Sequence, residues 1–143
     1  MLTETQIAFL EQRRTATLAT VGADGAPHAV PCCFALLDGR IYTPLDAKPK
    51  RAPLQRLQRV RDIAANPAVC LTADLYDEDW TRLAWLQLRG EAALLMDGEE
   101  RRRAVAALRA RYRQYEALLP DDAPLIRITL RRVIEWAWPR AAP

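Results

Sequence analysis

Apolar and polar positions alternate in two periods along this chain, and the switches between them mark its elements. Between Thr3 and Arg14 the apolar residues Ile7, Ala8 and Leu10, with Phe9 beside them, make one face of a short helix. Thr3 followed by Gln6 supplies a capping box at its start. Thr15 to Val21 (TATLATV) then alternates as a strand, Gly22, Asp24, Gly25 and Pro27 give turn chemistry, and a second apolar run, His28 to Leu37, completes a hairpin. Asp38-Gly39 predicts a primed turn, because both central residues of such a turn need positive φ, and Arg40 to Thr43 returns as a third strand. Pro53 suits a first helical position; Leu54, Leu57, Arg61 and Ala64 share a face that runs to about Ala65, where Asn66-Pro67 stops it. Ala68 to Leu75 reads as a buried strand, Asp77 to Asp79 as an acidic turn, and Trp85 to Met96 as a long strand antiparallel to the previous one, with Gly90 at a bulge. Val105, Leu108, Tyr112, Tyr115 and Leu119 repeat at spacings of three and four, which predicts a single helix from Glu99 to Leu119. Leu125 to Leu130 and Val133 to Trp138 close the chain as a final strand or strand pair.

Six or so strands with few helices predict a mainly β domain with flanking helices, a small closed or half-closed antiparallel barrel spanning residues 1–143, rather than alternating βαβ units. At 50% apolar and 27% charged residues the composition is that of a globular protein. No apolar run approaches the ~18 residues that span a bilayer, and the first residues lack the pattern of a signal peptide. The three cysteines, two of them adjacent, do not make a disulfide framework, so a reducing, cytoplasmic location is expected. The chain contains no serine and one histidine, His28, which excludes a serine nucleophile and a metal held by several imidazoles. A net charge of +3 is too small to signal nucleic acid, and no Gly-x-Gly-x-x-Gly supports a Rossmann site.

Against that background lysine is distributed unusually. Its two occurrences, Lys48 and Lys50, fall in one stretch, Thr43 to Lys50 (TPLDAKPK), continued by Arg51, while the other 19 of the 21 basic residues are arginine. The stretch lies where a strand pattern gives way to a helix pattern, and prolines at 44, 49 and 53 stiffen it. Two ammonium groups before a helix would hold a dianionic phosphate, each charge-assisted contact contributing about 1.5–3 kcal/mol. Trp80 and Trp85 offer apolar walls to a ring. Trp136 and Trp138 are expected to pack, and the arginines at 101 to 103, 109, 111 and 113 to form a helix surface. Cys32 and Cys33 point to opposite faces of their strand, and His28 has no partner identifiable from the sequence.

The order of these motifs carries a resemblance that covers nearly the whole chain. TATLATVGADGAPHAVPCCF, DGRIYT, the basic segment, a helix ending AANP, WLQLRGEAALL and RITLRRVIEW together resemble the antiparallel split β-barrel, FMN-binding family related to pyridoxamine phosphate oxidase. DAKPKR and YDEDW resemble its branch of deazaflavin (coenzyme F420) oxidoreductases. The resemblance implies a homodimer with two cofactor sites at the subunit interface. It places the backbone of Val30, Pro31, Cys32 and Cys33 along the cofactor ring, Tyr42 and Thr43 beside it, and Lys48, Lys50 and Arg51 on its phosphate. Relatives that bind FMN often carry a Ser-Arg-Lys run where this chain has Ala47-Lys48-Pro49-Lys50. The function so implied is hydride transfer between coenzyme F420 and a small organic acceptor, with no catalytic side chain, nucleic acid or membrane involved. The alternatives are an FMN-dependent reductase or oxidase of the same fold and a non-enzymatic cofactor carrier.

Overall fold

The computed structural model describes residues 1–45 and 57–139. Helix α1 (Glu4–Glu11) precedes β1 (Ala16–Val21), β2 (Pro27–Cys32), β3 (Ala35–Leu37) and β4 (Arg40–Pro44). Helix α2 (Gln58–Ala65), β5 (Ala68–Leu75), a 3-10 turn (Trp80–Arg82), β6 (Ala84–Leu95), α3 (Gly98–Arg111), α4 (Tyr115–Leu118) and β7 (Leu125–Ala137) follow. The strands form one antiparallel sheet of seven, ordered β2-β1-β5-β6-β7-β4-β3. This is the mainly β, helix-flanked architecture that the sequence predicts.

Local chemistry sets the punctuation. Thr3 and Gln6 cap α1 reciprocally, at 3.1 and 3.0 Å. Asp38 and Gly39 both take positive φ, 51° and 74°, as a primed hairpin turn requires. The register of β6 against β7 slips between Arg89 and Gly90, and a Cβ on Gly90 would come within 2.3 Å of the Thr129 carbonyl oxygen. Only glycine fits that bulge.

Alternation along the strands sorts residues onto two faces. Leu18, Leu71, Leu88, Ile41 and Ile128 point inward to one core, sealed by Leu10 of α1 and by Val60 and Ile63 of α2. A second core lies between α3 and the β3–β4 region and contains Tyr42, Val105, Leu108, Tyr112 and Leu125. Cys32 packs against the first core and Cys33 against the second, so the two thiols do face apart, and none of the three cysteines forms a disulfide.

One predicted helix is two. The stripe Val105, Leu108, Tyr112, Tyr115 and Leu119 is buried throughout, but Tyr112 turns extended (φ −126°, ψ 108°) and ends α3. Its hydroxyl accepts from the Phe34 N–H at 3.1 Å and lies 2.9 Å from the Arg14 carbonyl oxygen, while the Arg14 guanidinium stacks on its ring. These long-range contacts override the helical period. Arg101, expected on the surface, is buried. The last segment is one continuous strand of 13 residues.

Candidate functional site

Five strands carry an outer face with a different character from the core. Read across the sheet by register, its rows are Asp74, Trp85 and Trp136; then Pro31, Thr17, Thr72, Gln87 and Ile134; then Ala29, Ala19, Cys70, Arg89 and Arg132. None of these residues is buried. The central row carries no charge, with Pro31 and Ile134 at its ends and Thr17, Thr72 and Gln87 between them.

All four tryptophans of the chain lie on segments joined by backbone hydrogen bonds at one end of the sheet. Trp85 of β6 pairs with Trp136 of β7, the Trp138 N–H donates to the Leu83 carbonyl at 3.0 Å, and the Leu83 N–H donates to the Trp80 carbonyl at 3.1 Å. Asp79 caps that turn through the Thr81 N–H at 3.1 Å and the Thr81 hydroxyl at 2.7 Å. Trp80 is 57% exposed, and Trp136 and Trp138 are 39% exposed each. The expectation that the last two pack away is therefore corrected: β7 continues past its last buried residue, Leu130, and carries both beyond the core.

The residues singled out in the sequence distribute as follows. Val30 and Cys32 turn their side chains inward and Pro31 outward, on β2, which is a sheet edge with a neighbour on one side only. No second strand lies beside β2 on its other side among the described residues. Through the shared register, Pro31 and Trp85 lie toward the same end of the sheet. Tyr42 and Thr43 are both buried, on opposite faces of β4: Thr43 toward the barrel interior, Tyr42 beneath α3. The Tyr42 hydroxyl donates to Glu100 Oε1 at 2.7 Å, and burial together with that carboxylate pushes the phenol up to about 12. Its side chain thus belongs to the α3 core, and its backbone to the sheet. Lys48, Lys50 and Arg51 lie outside the described residues.

On the inner side of the tryptophan end, α1 closes over the β6–β7 ribbon. A cavity of about 420 Å³ there is lined by Phe9, Leu86 and Ala84 among others, and Gln6 Nε2 donates to Glu135 Oε2 at 3.0 Å across it. Neither Gln6 nor Glu135 stands out in the sequence as a pair, since 129 positions separate them.

His28 has a neighbour that sequence reasoning missed. It faces inward beside Thr20, its partner across the hairpin, and its charge acts on the buried carboxylate of Asp62 in α2. Its Nδ1 is buried without a hydrogen-bond partner. The described residues contain no cluster of three or more side chains able to hold a metal ion.

Comparison with known proteins places this architecture. The profile of the pyridoxamine 5'-phosphate oxidase family matches residues 2–137. The chain belongs to that family. No curated protein matches it. Among solved structures, a conserved hypothetical protein from Mycobacterium tuberculosis superposes with a TM-score of 0.74 at 23% identity, covering 100% of this chain and 92% of its own. An FAD-binding protein from Mesorhizobium loti gives 0.68 at 19% identity, with 94% of each chain covered. The haem storage protein HutZ from Vibrio cholerae gives 0.70 at 19% identity, covering 96% and 95%. At these identities the likeness establishes the shared fold of the pyridoxamine 5'-phosphate oxidase family and leaves the ligand to be argued from this chain's own residues.

Proposed function

We propose that this protein is an oxidoreductase that holds a flavin-type cofactor between two copies of the chain, with the deazaflavin F420 as the first candidate and FMN as the alternative. The observation that carries the reading is the outer sheet face, which is uncharged along its central row of Pro31, Thr17, Thr72, Gln87 and Ile134, reaches exposed tryptophans at one end and runs out to the edge strand β2. A second copy set against that face would cover apolar surface worth roughly 25 cal/mol per Å² and would leave the cofactor ring between two walls. As an edge strand, β2 suits backbone contact with the edge of a heteroaromatic ring. The basic residues Lys48 and Lys50, with Arg51 next to them, are the chain's natural phosphate partners.

Such a cofactor supplies hydride chemistry, so the protein needs no nucleophile of its own. The chain's part is to bind, to orient and to exclude water. Backbone groups of Pro31 to Cys33 fix the ring edge, Trp80 and Trp85 shield it, and the lysines hold the anionic tail. The acceptor is a small organic molecule that fits the remaining space. The deazaflavin preference is supported by DAKPKR and YDEDW and by the lack of a Ser-Arg-Lys run. Two structural neighbours are haem proteins, but this chain's one histidine lies on the inner side of the sheet beside Thr20, away from the outer face proposed for the cofactor.

The test is a parallel titration of cofactor-free protein with F420 and FMN, followed by fluorescence or calorimetry. Tighter binding of F420 is expected. Lys50→Ala should weaken that binding by about tenfold or more, since each tenfold corresponds to ~1.4 kcal/mol. Binding of neither cofactor would refute the proposal, and preference for FMN would move the protein to the flavin reductases and oxidases.

A further inference from the structure

The outer sheet face carries two neighbouring guanidinium groups that have no carboxylate partner among the described residues. Arg89 of β6 and Arg132 of β7 stand directly opposite each other in the register, both exposed, and Cys70, Ala19 and Ala29 continue their row toward the edge. Residues opposed in this way hold their Cβ atoms about 5 Å apart, and like charges there repel. The arrangement comes from the bulge. Where β7 slips against β6 at Arg89 and Gly90, Arg131 is the extra residue, and its guanidinium reaches Glu91, the next outward position of β6, at 2.8 Å. Bulges of this kind re-aim side chains and often lie beside functional sites. The nearby acid, Glu91, is thus already engaged. Other exposed arginines are matched too, Arg82 with Asp77 at 3.4 Å and Arg103 with Asp38 at 2.8 Å. Arg89 donates its Nε to Gln87 Oε1 at 3.0 Å, which orients the side chain and leaves its two terminal nitrogens without a partner among the described residues. Arg132 makes no hydrogen bond or ion pair among them.

A guanidinium presents a planar fork that matches the oxygens of a carboxylate or phosphate group. Two forks side by side, one of them held by Gln87, would grip such a group from both strands, and an anion between them removes the repulsion that the register builds in. The uncharged central row runs directly alongside, two residues further along each strand, at Thr72, Gln87 and Ile134. We infer that Arg89 and Arg132 form an oxyanion site for a small organic acid, a carboxylate or a phosphate monoester, whose uncharged body lies along that central row. The site stands on this face alone and needs no cofactor to be filled. One consequence rests on the proposed function: the hydride acceptor is then an acidic molecule.

The experiment titrates the cofactor-free protein with benzoate, phenyl phosphate and the neutral benzamide, followed by calorimetry or ligand-observed NMR, in the wild type, Arg89→Gln, Arg132→Gln and Arg103→Gln. At least one of the two acids should bind about tenfold or more tighter than benzamide, and the tighter acid identifies the oxyanion. Arg89→Gln and Arg132→Gln should each weaken that binding by about fivefold or more. Arg103→Gln, which removes the same charge from α3, should change it by less than about twofold. Because Arg89→Gln and Arg132→Gln each relieve the repulsion, both should melt no lower than the wild type at low salt, and the acid should raise the wild-type melting temperature more than theirs. No binding of either acid, benzamide binding as tightly as the acids, unchanged acid affinity in both variants, or an equal loss in Arg103→Gln would overturn the inference, whatever the cofactor titration gives. Acid binding lost in the two variants, in a protein that takes neither F420 nor FMN, would support the site and refute the proposed function alone.

Discussion

Glu100 shows how single residues lock a helix onto this sheet. It lies in the first turn of α3 and accepts from Tyr42 at 2.7 Å, from Arg127 at 3.2 Å and from Arg40 at 3.2 Å. The Tyr42 hydrogen bond, with the Arg127 and Arg40 charges and against the upward push of burial, holds its carboxyl below the ordinary range. A group whose native pKa is depressed stabilises the fold above its unfolded pKa, and that contribution disappears as pH falls through the native value. Tyr42 works in the opposite direction. Its phenol is raised to about 12, so its contribution is complete below the unfolded value near ~10 and is lost as pH rises from there through about 12. Tyr42→Phe should therefore lower stability at pH 7 by about 1 kcal/mol and lose less than the wild type between pH 9 and 11, as read by urea unfolding at each pH. An equal alkaline loss in both proteins would contradict the assignment. These pairings were invisible in the sequence because the partners are distant, 58 positions for Tyr42 with Glu100 and 42 for Thr20 with Asp62. The local pairs, Thr3 with Gln6 and Asp38 with Gly39, could be read directly, since their chemistry closes within one turn.

Among the elements, most strands were legible, but the run from His28 to Leu37, expected as one strand, is two, β2 and β3, at opposite edges of the sheet, and the long helix is likewise broken. Period-two runs at Ala16–Val21, Ala68–Leu75 and Ala84–Leu95 appear where the pattern predicts them, and the antiparallel pairing of the last two follows from the short acidic turn between them. The stripe from Val105 to Leu119 correctly marked which residues are buried, but a stripe does not require a continuous helix. Tyr112 leaves the helical conformation because its hydroxyl and ring are claimed by Phe34 and Arg14 from elsewhere in the chain. Gly90 is the most exacting single position in these elements. It lets β6 slip one residue against β7, and any side chain there meets the Thr129 carbonyl at 2.3 Å, a backbone atom that cannot swing aside. Gly90→Ala should cost about 2 kcal/mol or more in chemical denaturation. A change below about 0.5 kcal/mol would show that the bulge relaxes freely.

At the scale of the whole molecule, the outer sheet face explains why a chain with a complete core still looks unfinished. Two hydrophobic cores are filled, the α1 and α2 helices seal the barrel, and Trp80, Trp136 and Trp138 remain exposed together at one end. The sequence resemblance implied a dimer without naming the surface, because inward and outward positions of a strand can be told apart by alternation but not assigned to a partner. The sheet register supplies the rows. A charge on the central row should then separate the copies: Ile134→Glu is expected to leave the fold intact and to reduce both self-association and cofactor affinity.

The most direct test is sedimentation velocity of wild type and Ile134→Glu with F420 or FMN, whichever binds, detected at the cofactor's own absorbance. The cofactor is expected to travel with a wild-type dimer at two per dimer and to sediment free of the Ile134→Glu variant. A cofactor that travels with the monomer, or a wild type that is monomeric with cofactor bound, would contradict it.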